Sequence, residues 1–546
     1  MAVTPVTMAP TLERRYRAFN VDAPTRSGPE ASRAAAGPAA LDDRLPGRCH
    51  HAGDRFPGEH WMARIMRIAR LLAMACVAAV ACGQAAAESA GKAAVLAQVE
   101  QLRPRMSGVN QAIWRYAEPG LEETRSSGEL MDWLRENGFS VRAGVAGMPT
   151  AFVASYGEGK PVIAYLAEYD ALIGVSQKAV PRREKRDDPA IIAGHGCGHS
   201  VYGTGSTAAA IALARVKAAN GLPGTVRLYG TPAEETVDAK TYMLRDGLFD
   251  DVDAVLSWHA SDRTGANYRY SKAVLAVRFT FEGVSAHAST SPQFGRSALD
   301  ALELMNIGVN YLREHVPEDT RIHYVVTDGG DQPNVVPARA ASWYYVRADR
   351  HHSVEQVYAR IVDIARGAAL MTGTTMSHVV DGDAHEVLPN RALAHLIDGN
   401  LRRVGPPRFD DQDRAFARES QKDLGTVFDH ALFEDIDPLP AEPGQGMAST
   451  DQGDLSWHVP TGGLVVASYA FGAPGHSWQV AAATGTGIGE KAMDVAARTL
   501  AATGFDLLTQ PKLLEQARES FRQVREPLEF RSLLPADARA PAAIRR

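Results

Sequence analysis

The sequence has few cysteines, only a small excess of negative charge and no apolar run long enough to span a membrane. Four cysteines among 546 residues are too few for a disulfide framework, which excludes a small disulfide-stabilised fold. Lysine and arginine total 58 against 64 aspartates and glutamates, which leaves no basic surface for a nucleic acid. With 45% hydrophobic and 22% charged residues, the chain can bury a large core. We therefore expect small-molecule partners, no nucleic acid and no stable membrane span.

The first 87 residues are predicted to lie outside the fold. Residues 1–61 have no hydrophobic period and are rich in alanine, glycine and proline, so we expect a disordered or non-native extension. Residues 62–87 carry three arginines, an apolar run at 71–81 and an Ala-Ala-Ala sequence, the pattern of a secretory signal peptide. The apolar run is shorter than the roughly 20 residues that a membrane span needs. We therefore predict that Met62 is the biological start and that the protein is exported to the periplasm.

Cys82 allows a second interpretation of this segment, as the lipid attachment site of a lipoprotein. Such signals usually carry leucine three residues before the cysteine, where this chain has Ala79. Cleavage after Ala87 would instead leave Cys197 as the only cysteine, so that no internal disulfide could form. A lone thiol in an oxidising compartment is a liability unless it is buried or binds a metal.

From residue 88 onward the hydrophobic pattern predicts an α/β fold. Short apolar runs without alternation suit parallel strands that are buried on both faces, and they occur at residues 161–167, 225–230, 254–258 and 464–469. Helical spacing covers residues 93–137, 204–219 and 489–502. We predict that residues 88–272 and 389–546 form one catalytic domain with a mostly parallel sheet.

The segment between these two parts has a different order of elements. Strand patterns at residues 275–282, 321–327, 340–348 and 376–380 are combined with helical patterns at 295–314 and 353–370. The resulting order, βαββαβ, is that of a ferredoxin-like module. We predict that residues 273–388 form such a module, inserted into the catalytic domain as a lid.

Side chains that can bind metals cluster near the carboxyl ends of the predicted strands, where open α/β sheets bind their ligands. They are Cys197 and His199 in a glycine-rich loop, Glu235, His259 and His476. Taken singly, each has a structural interpretation: a buried cysteine beside a capping turn, an exposed acidic turn or a core histidine. Taken together, they exceed one tetrahedral zinc site, so we infer two divalent metal ions that share a bridging ligand or water.

Glu234 precedes Glu235 directly, and two adjacent carboxylates repel unless a cation or a proton separates them. If Glu235 binds metal, Glu234 is free to act as a general base that takes a proton from a metal-activated water. The metals themselves are left open. Cysteine and histidine favour zinc, whereas two-metal sites rich in carboxylates also accept manganese.

Several ordered motifs resemble those of the dinuclear-metal amidohydrolases of the aminoacylase/carboxypeptidase superfamily, in particular the p-aminobenzoyl-glutamate hydrolase-like branch. The motifs are Gly-His-Gly-Cys197-Gly-His199, Pro-Ala-Glu234-Glu235, Ser-Trp-His259, Ser-Ala-His287-Ala, Asn334-Val-Val-Pro and a late His476. The resemblance covers most of residues 93–505. It implies a zinc-peptidase-like catalytic domain with an inserted lid that commonly forms dimers.

The resemblance also implies roles for individual residues. Cys197, His199, Glu235, His259 and His476 match the metal ligands, and Glu234 matches the general base. In the lid, His287 matches a histidine that reaches the active site of a neighbouring subunit and polarises the scissile carbonyl. Asn334 matches a position beside the substrate, or else is a turn residue. Arg347 either grips a substrate carboxylate or is a solvated strand arginine, and Asp170 is a candidate to support His199.

The leading hypothesis is an exported homodimeric amidohydrolase with two Zn or Mn ions. Its substrate would be an N-acyl or N-aroyl amino acid of the p-aminobenzoyl-glutamate type. A dipeptidase or carboxypeptidase with the same site is the enzymatic alternative. A ligand-binding homologue without activity is the alternative from another class, and the intact Glu234 argues against it.

Overall fold

The computed structural model describes residues 90–541. The predicted extension at residues 1–61, the signal peptide at 62–87 and Cys82 therefore lie outside the described residues. Among the helices within 90–541, none combines the length and the apolar character that a bilayer crossing requires.

Twelve α-helices are seen within the described range. They are α1 (90–116), α2 (Thr124–Glu136), α3 (His199–Asn220), α4 (Ala239–Arg245), α5 (Ala298–Leu312), α6 (His351–Thr372), α7 (Arg391–Val404), α8 (Asp411–Gln421), α9 (Gln452–Ser456), α10 (Trp478–Thr484), α11 (Gly487–Thr509) and α12 (Pro511–Arg525). The predicted helical stretch at 93–137 is thus wrong as a single element, because Ala117 and Leu121 adopt positive φ angles of 44° and 63° between α1 and α2.

Fifteen strands are seen within the same range. They are β1 (Ser140–Ala143), β2 (Phe152–Glu158), β3 (Val162–Ala167), β4 (Leu172–Ile173), β5 (Ala193–Gly194), β6 (Gly224–Gly230), β7 (Ala254–Ser261), β8 (Gly265–Asn267), β9 (Arg269–Tyr270), β10 (Ala273–Glu282), β11 (Arg321–Asp328), β12 (Arg339–Ala348), β13 (Thr375–Ala384), β14 (Gly444–Gln445) and β15 (Thr461–Ala467).

The central sheet has seven strands in the order β1-β2-β6-β3-β7-β15-β8. Its middle, β6-β3-β7-β15, is parallel, and antiparallel strands complete both edges. Every residue of β3 is buried, as expected of a central parallel strand that is covered on both faces. Helices α3 and α11 pack against each other and against these central strands. The polar side chains that follow the parallel strands are thereby brought to one edge of the sheet.

Two predicted strand ends were wrong by a few residues. The strand predicted at 254–258 continues to Ser261, because His259 pairs in register with Val465 of β15. The strand predicted at 464–469 begins earlier and spans Thr461–Ala467. Gly462 and Gly463 at its start carry no apolar side chain, so the hydrophobic pattern did not include them. At Gly463 a Cβ would lie 2.8 Å from the Oγ of Ser257. Close approach of β15 to β7 thus excludes a side chain there.

The second sheet is antiparallel, with strands in the order β11-β12-β10-β13. Along the chain its elements follow as β10, α5, β11, β12, α6 and β13, which is the predicted βαββαβ order. Helices α5 and α6 pack against each other and against strands of this sheet. The predicted fold class, a mostly parallel α/β domain with an inserted ferredoxin-like lid, is confirmed. The domain limits at residues 273 and 388 stay predictions.

Candidate active site

Loops and the end of β7 bring the candidate ligands together at the carboxyl edge of the central sheet. Three groups of side chains have ligand atoms that all lie within 4.8 Å of one another. The groups are Cys197, His199 and His259; Cys197, Glu235 and His476; and Glu168, His199 and Glu234. Because Cys197 and His199 each belong to two groups, the arrangement can hold two ions side by side. All five predicted metal ligands and Glu234 are included.

The loop before α3 depends on glycine for its shape. Gly198 has a φ of 87°, and a Cβ at this position would lie 2.5 Å from the side chain of Ala260. Glycine is therefore required both for the left-handed conformation and for the close packing on β7. The loop also accepts a hydrogen bond at the Gly196 carbonyl from the backbone N–H of His476, at 2.9 Å. This bond fixes the late histidine loop against the cysteine loop.

Asp170 orients His199. Its Oδ1 lies 2.7 Å from Nδ1 of the imidazole, while its Oδ2 accepts a hydrogen bond from the backbone N–H of Glu235 at 3.0 Å. With Nδ1 as the donor, Nε2 of His199 is left with its lone pair. That Nε2 is buried without a hydrogen-bond partner and faces the carboxylates of Glu168 at 3.2 Å and Glu235 at 4.0 Å. It is therefore set up as a metal ligand.

His259 and His476 complete the donor set from two other elements. Nδ1 of His259 lies 2.7 Å from the carbonyl oxygen of Ala260, so the ring donates there and keeps Nε2 as an acceptor. That Nε2 is 3.4 Å from Sγ of Cys197. Nε2 of His476 is 3.4 Å from Oε1 of Glu235, and the His476 side chain is 57% exposed. The site is thus open toward solvent on the His476 side.

The acidic groups of the site repel one another. Burial and the neighbouring carboxylates of Glu168 and Glu235 raise the pKa of Glu234 well above its usual range. Burial followed by the charge of Glu235 raises the pKa of the Cys197 thiol in the same way. A divalent cation would offset this repulsion, and thiolate, imidazole and carboxylate are the donors that zinc and related ions take. The residues present therefore fit a pair of divalent metal ions.

A wholly buried lysine beside this site was missed by the sequence analysis. Nζ of Lys240 lies 2.8 Å from Oε1 of Glu168 and 2.6 Å from Oδ1 of Asp451. The backbone N–H of Lys240 also donates to Oδ2 of Asp451 at 2.9 Å. Nothing in the sequence distinguishes Lys240 from a surface lysine.

A cleft of about 360 Å³ opens over the site, and strands of the lid sheet form its opposite wall. Arg347 of β12 lines this cleft. Its Nη1 donates to Oγ of Ser449 at 3.3 Å, whereas its Nε is buried without a hydrogen-bond partner. Among the described residues, no carboxylate forms an ion pair with Arg347. Its guanidinium is therefore available to a carboxylate of a bound molecule.

His287 and Asn334 lie outside this cleft, on an exposed part of the lid. They are neighbours, because the carbonyl of Asn334 accepts a hydrogen bond from the N–H of Ala288 at 3.0 Å. Nδ1 of His287 accepts hydrogen bonds from the backbone N–H groups of Ser289 and Thr290, both at 3.2 Å, which leaves Nε2 as the ring donor. Neither predicted residue thus joins the site of its own chain.

Comparison with known proteins places these features in a family. The model of the peptidase dimerisation domain of M20 enzymes matches residues 270–371, which cover most of the lid. The chain is 38% identical to a p-aminobenzoyl-glutamate hydrolase subunit of Escherichia coli, over 80% of this chain and 96% of that protein. It is 28% identical to the mouse Xaa-Arg dipeptidase, over 78% of this chain and 90% of the dipeptidase.

Solved structures agree on the fold. The aminobenzoyl-glutamate utilization protein of Klebsiella pneumoniae matches with a TM-score of 0.51 and 21% identity, over 75% of this chain and 97% of that chain. A dinuclear metal-binding peptidase of the M20 family from Bacillus subtilis matches with a TM-score of 0.50 and 19% identity, over 75% and 99% of the two chains. The resemblance noted in the sequence is confirmed: the chain belongs to the M20 family of peptidases and amidohydrolases, in the branch of p-aminobenzoyl-glutamate hydrolase.

Proposed function

We propose that this protein is a metal-dependent amidohydrolase that splits an N-acyl or N-aroyl amino acid into an acid and an amino acid. The observation that carries the proposal is the position of Glu234, a carboxylate that lies with His199 at the edge of a complete set of metal ligands. The similarity of the chain to the p-aminobenzoyl-glutamate hydrolase of Escherichia coli supports an aroyl amino acid as the substrate class.

Cys197, His199, Glu235, His259 and His476 would hold two divalent metal ions, for which zinc and manganese are the candidates. When bound, such ions polarise a substrate carbonyl and lower the pKa of a coordinated water. The orientation of His199 by Asp170 and the shape of the Gly198 loop prepare this donor set before any ligand binds.

Glu234 performs the proton transfers. Its carboxylate takes a proton from the water that attacks the amide carbonyl and returns a proton to the nitrogen as the C–N bond breaks. Burial beside Glu168 and Glu235 raises the pKa of Glu234, which makes its carboxylate a stronger base toward the attacking water. Lys240 fixes the nearby Glu168 and so limits the movement of the acidic groups around the base.

Arg347 would bind the free carboxylate of the substrate, because its buried Nε has no partner within the described part of the protein. In a homodimer formed through the lid, His287 of one protomer would reach the cleft of the other and donate from Nε2 to the developing oxyanion. Asn334, which is adjacent to His287, would enter the same cleft of the neighbouring protomer. The match of residues 270–371 to a dimerisation domain supports this arrangement.

The test is hydrolysis of a substrate panel by protein whose metal content is measured on the same sample. The panel contains p-aminobenzoyl-glutamate, other N-acyl amino acids and dipeptides, each with its α-methyl ester as a control. We expect turnover of free acids, weaker turnover of the esters, and loss of both after chelation. Metal-loaded protein that hydrolyses none of these amides would contradict the proposal.

A dipeptidase is the second candidate. The observation in its favour is the similarity to the mouse and human Xaa-Arg dipeptidases. It extends over 90% of each dipeptidase and so is not confined to one shared domain. The same panel separates the two candidates, because a dipeptidase would turn over peptides faster than aroyl amino acids.

Export to the periplasm is a further part of the proposal, supported by the signal-like pattern of residues 62–87. Expression from Met62 followed by mass spectrometry of the secreted protein tests it. A mature form that begins at residue 88 supports the signal peptide, whereas a lipid-modified Cys82 would replace it with the lipoprotein alternative.

A further inference from the structure

The cleft contains a carboxylate that the proposed mechanism does not use. Asp238 lines the cleft together with Glu234, Tyr345 and Arg347. It belongs to the loop that follows the Glu234-Glu235 pair and directly precedes α4. Burial, followed by the negative charges of Asp238, Glu235 and Glu234, raises the pKa of the Tyr345 phenol. Asp238 therefore lies in the same electrostatic environment as the reacting groups.

Within the described residues, Asp238 has neither a hydrogen-bond donor nor an ion-pair partner. Its side chain makes no hydrogen bond to α4, although it occupies the position from which aspartate normally caps a helix. The nearby Nζ of Lys240 is held by Glu168 and Asp451. Burial and the charges of Asp451 and Asp454 raise the pKa of Asp238 well above its usual range. A donor from a bound molecule would therefore stabilise this carboxylate.

Asp238 and Arg347 lie at two separate points along the lid sheet that lines the cleft. Oδ2 of Asp238 lies against Gly382 of β13, where a Cβ would be only 2.2 Å from it. Ala276 of β10 pairs with Gly382 on one side and with Tyr345 on the other, so a single row crosses three strands. From Gly382 to Tyr345 this row crosses two strand spacings of about 4.8 Å each, and Arg347 lies two residues further along β12. The α-carbons of Gly382 and Arg347 are therefore roughly 12 Å apart.

We propose that Asp238 is a specificity-determining residue that accepts hydrogen bonds from a nitrogen donor of the substrate, at the end opposite the carboxylate held by Arg347. The inference rests on the proposed function and narrows its substrate class to compounds that carry both a carboxylate and an amino or guanidino group. An extended p-aminobenzoyl amino acid separates these two groups by about 9 Å when built from standard bond lengths. This length is compatible with the roughly 12 Å between the α-carbons of Gly382 and Arg347, because the Arg347 side chain lines the cleft between them.

Two parts of a substrate can carry a nitrogen donor for Asp238. It can belong to the acyl half, as the arylamine of a p-aminobenzoyl group does, or to the released amino acid, as the side chain of lysine or arginine does. Matched pairs distinguish them. Benzoyl-glutamate differs from p-aminobenzoyl-glutamate only in the amine, and benzoyl-norleucine differs from benzoyl-lysine only in the terminal amine.

The experiment measures binding of all four compounds by calorimetry to the metal-loaded Glu234→Gln variant, and their kcat/KM with the active enzyme. Each measurement is repeated with Asp238→Asn, which keeps the size of the side chain and tolerates the positive φ of 56°. Asp246→Asn, at the exposed other end of α4, is the control.

We expect one amine-bearing compound to be preferred over its partner by roughly 10- to 100-fold, as for a charge-assisted hydrogen bond in a cleft. Asp238→Asn should abolish that preference and leave the partner compound unaffected, whereas Asp246→Asn should change neither. Equal binding within both pairs, or a preference that survives in Asp238→Asn, would overturn the inference. A preference in binding that depends on Asp238 but is accompanied by no hydrolysis would refute the proposed function alone.

Discussion

Removal of the Lys240 ammonium should destabilise the protein strongly and in a pH-dependent way. Lys240 is wholly buried and neutralises two carboxylates, of Glu168 at 2.8 Å and of Asp451 at 2.6 Å, which are themselves buried. Lys240→Met keeps most of the volume but leaves both carboxylates without a counter-charge. Breaking a buried ion pair from one side costs about 3–5 kcal/mol, so we expect a loss of that order in the free energy of unfolding at pH 7.5.

The sign of the pH dependence follows from Asp451. Burial raises its pKa to about 6 even while Lys240 opposes the shift, so the folded protein holds this proton more tightly than the unfolded chain, whose pKa is near 3.9. Stability is lost as the pH rises between these two values and is then constant above the folded pKa. Without Lys240 the pKa of Asp451 in the folded protein rises further, so the loss of stability continues to higher pH. The variant should therefore recover relative to wild type as the pH is lowered from 7.5 to 5.

Urea unfolding at pH 7.5 and pH 5 with chelator present measures this effect without a contribution from bound metal. Lys512→Met, at an exposed position of α12, is the control and should match wild type at both pH values. The double variant Lys240→Met/Asp451→Asn should regain part of the lost stability, because it removes the charge of one of the two carboxylates left without a counter-charge. A Lys240→Met variant whose unfolding midpoint equals that of wild type at pH 7.5 would refute the reasoning.

Three further predictions concern the site. Asp170→Asn should lower metal affinity by about 10- to 100-fold, measured by competition with a chelator, because it removes the acceptor that orients His199; unchanged affinity would rule out that role. Gly198→Ala should lose metal binding, since a methyl group would clash with Ala260 at 2.5 Å, and a variant with full metal content would disprove the need for glycine. His287→Ala and Glu234→Gln should each be inactive alone but regain activity in mixed dimers, because one cleft then combines Glu234 of one protomer with His287 of the other. No recovery on mixing would exclude action of His287 in the neighbouring protomer.

The parts of the fold that could be predicted are those in which one physical demand dominates the sequence. Parallel strands buried on both faces are continuously apolar, and this pattern marked β3, β6 and β7. In contrast, β1 is largely exposed and carries no apolar pattern, so nothing in the sequence distinguished it from a loop. The proximity of Cys197, His199, Glu235, His259 and His476 could be predicted, because all five come near the carboxyl ends of strands that meet at one edge of the sheet.

Apart from Glu234 and Asp170, the charged groups around the ligands could not be predicted. Lys240, Glu168 and Asp238 are residue types that usually lie on the surface, and only the tertiary structure reveals that the first two are buried as a pair. The same limit applies to His287 and Asn334, whose motifs are plain in the sequence. Their exposure outside the cleft of their own chain is a property of the assembled lid.

The claim that Glu234 is the general base of a metal-dependent hydrolase is tested most directly by Glu234→Gln with metal content measured on the same sample. Glutamine keeps the shape of the side chain but cannot accept the proton. We predict unchanged metal content and a kcat reduced by about 100- to 10,000-fold on the best substrate of the panel, whereas Glu136→Gln at an exposed position of α2 should retain wild-type activity. Full hydrolytic activity of a metal-loaded Glu234→Gln protein would contradict the account.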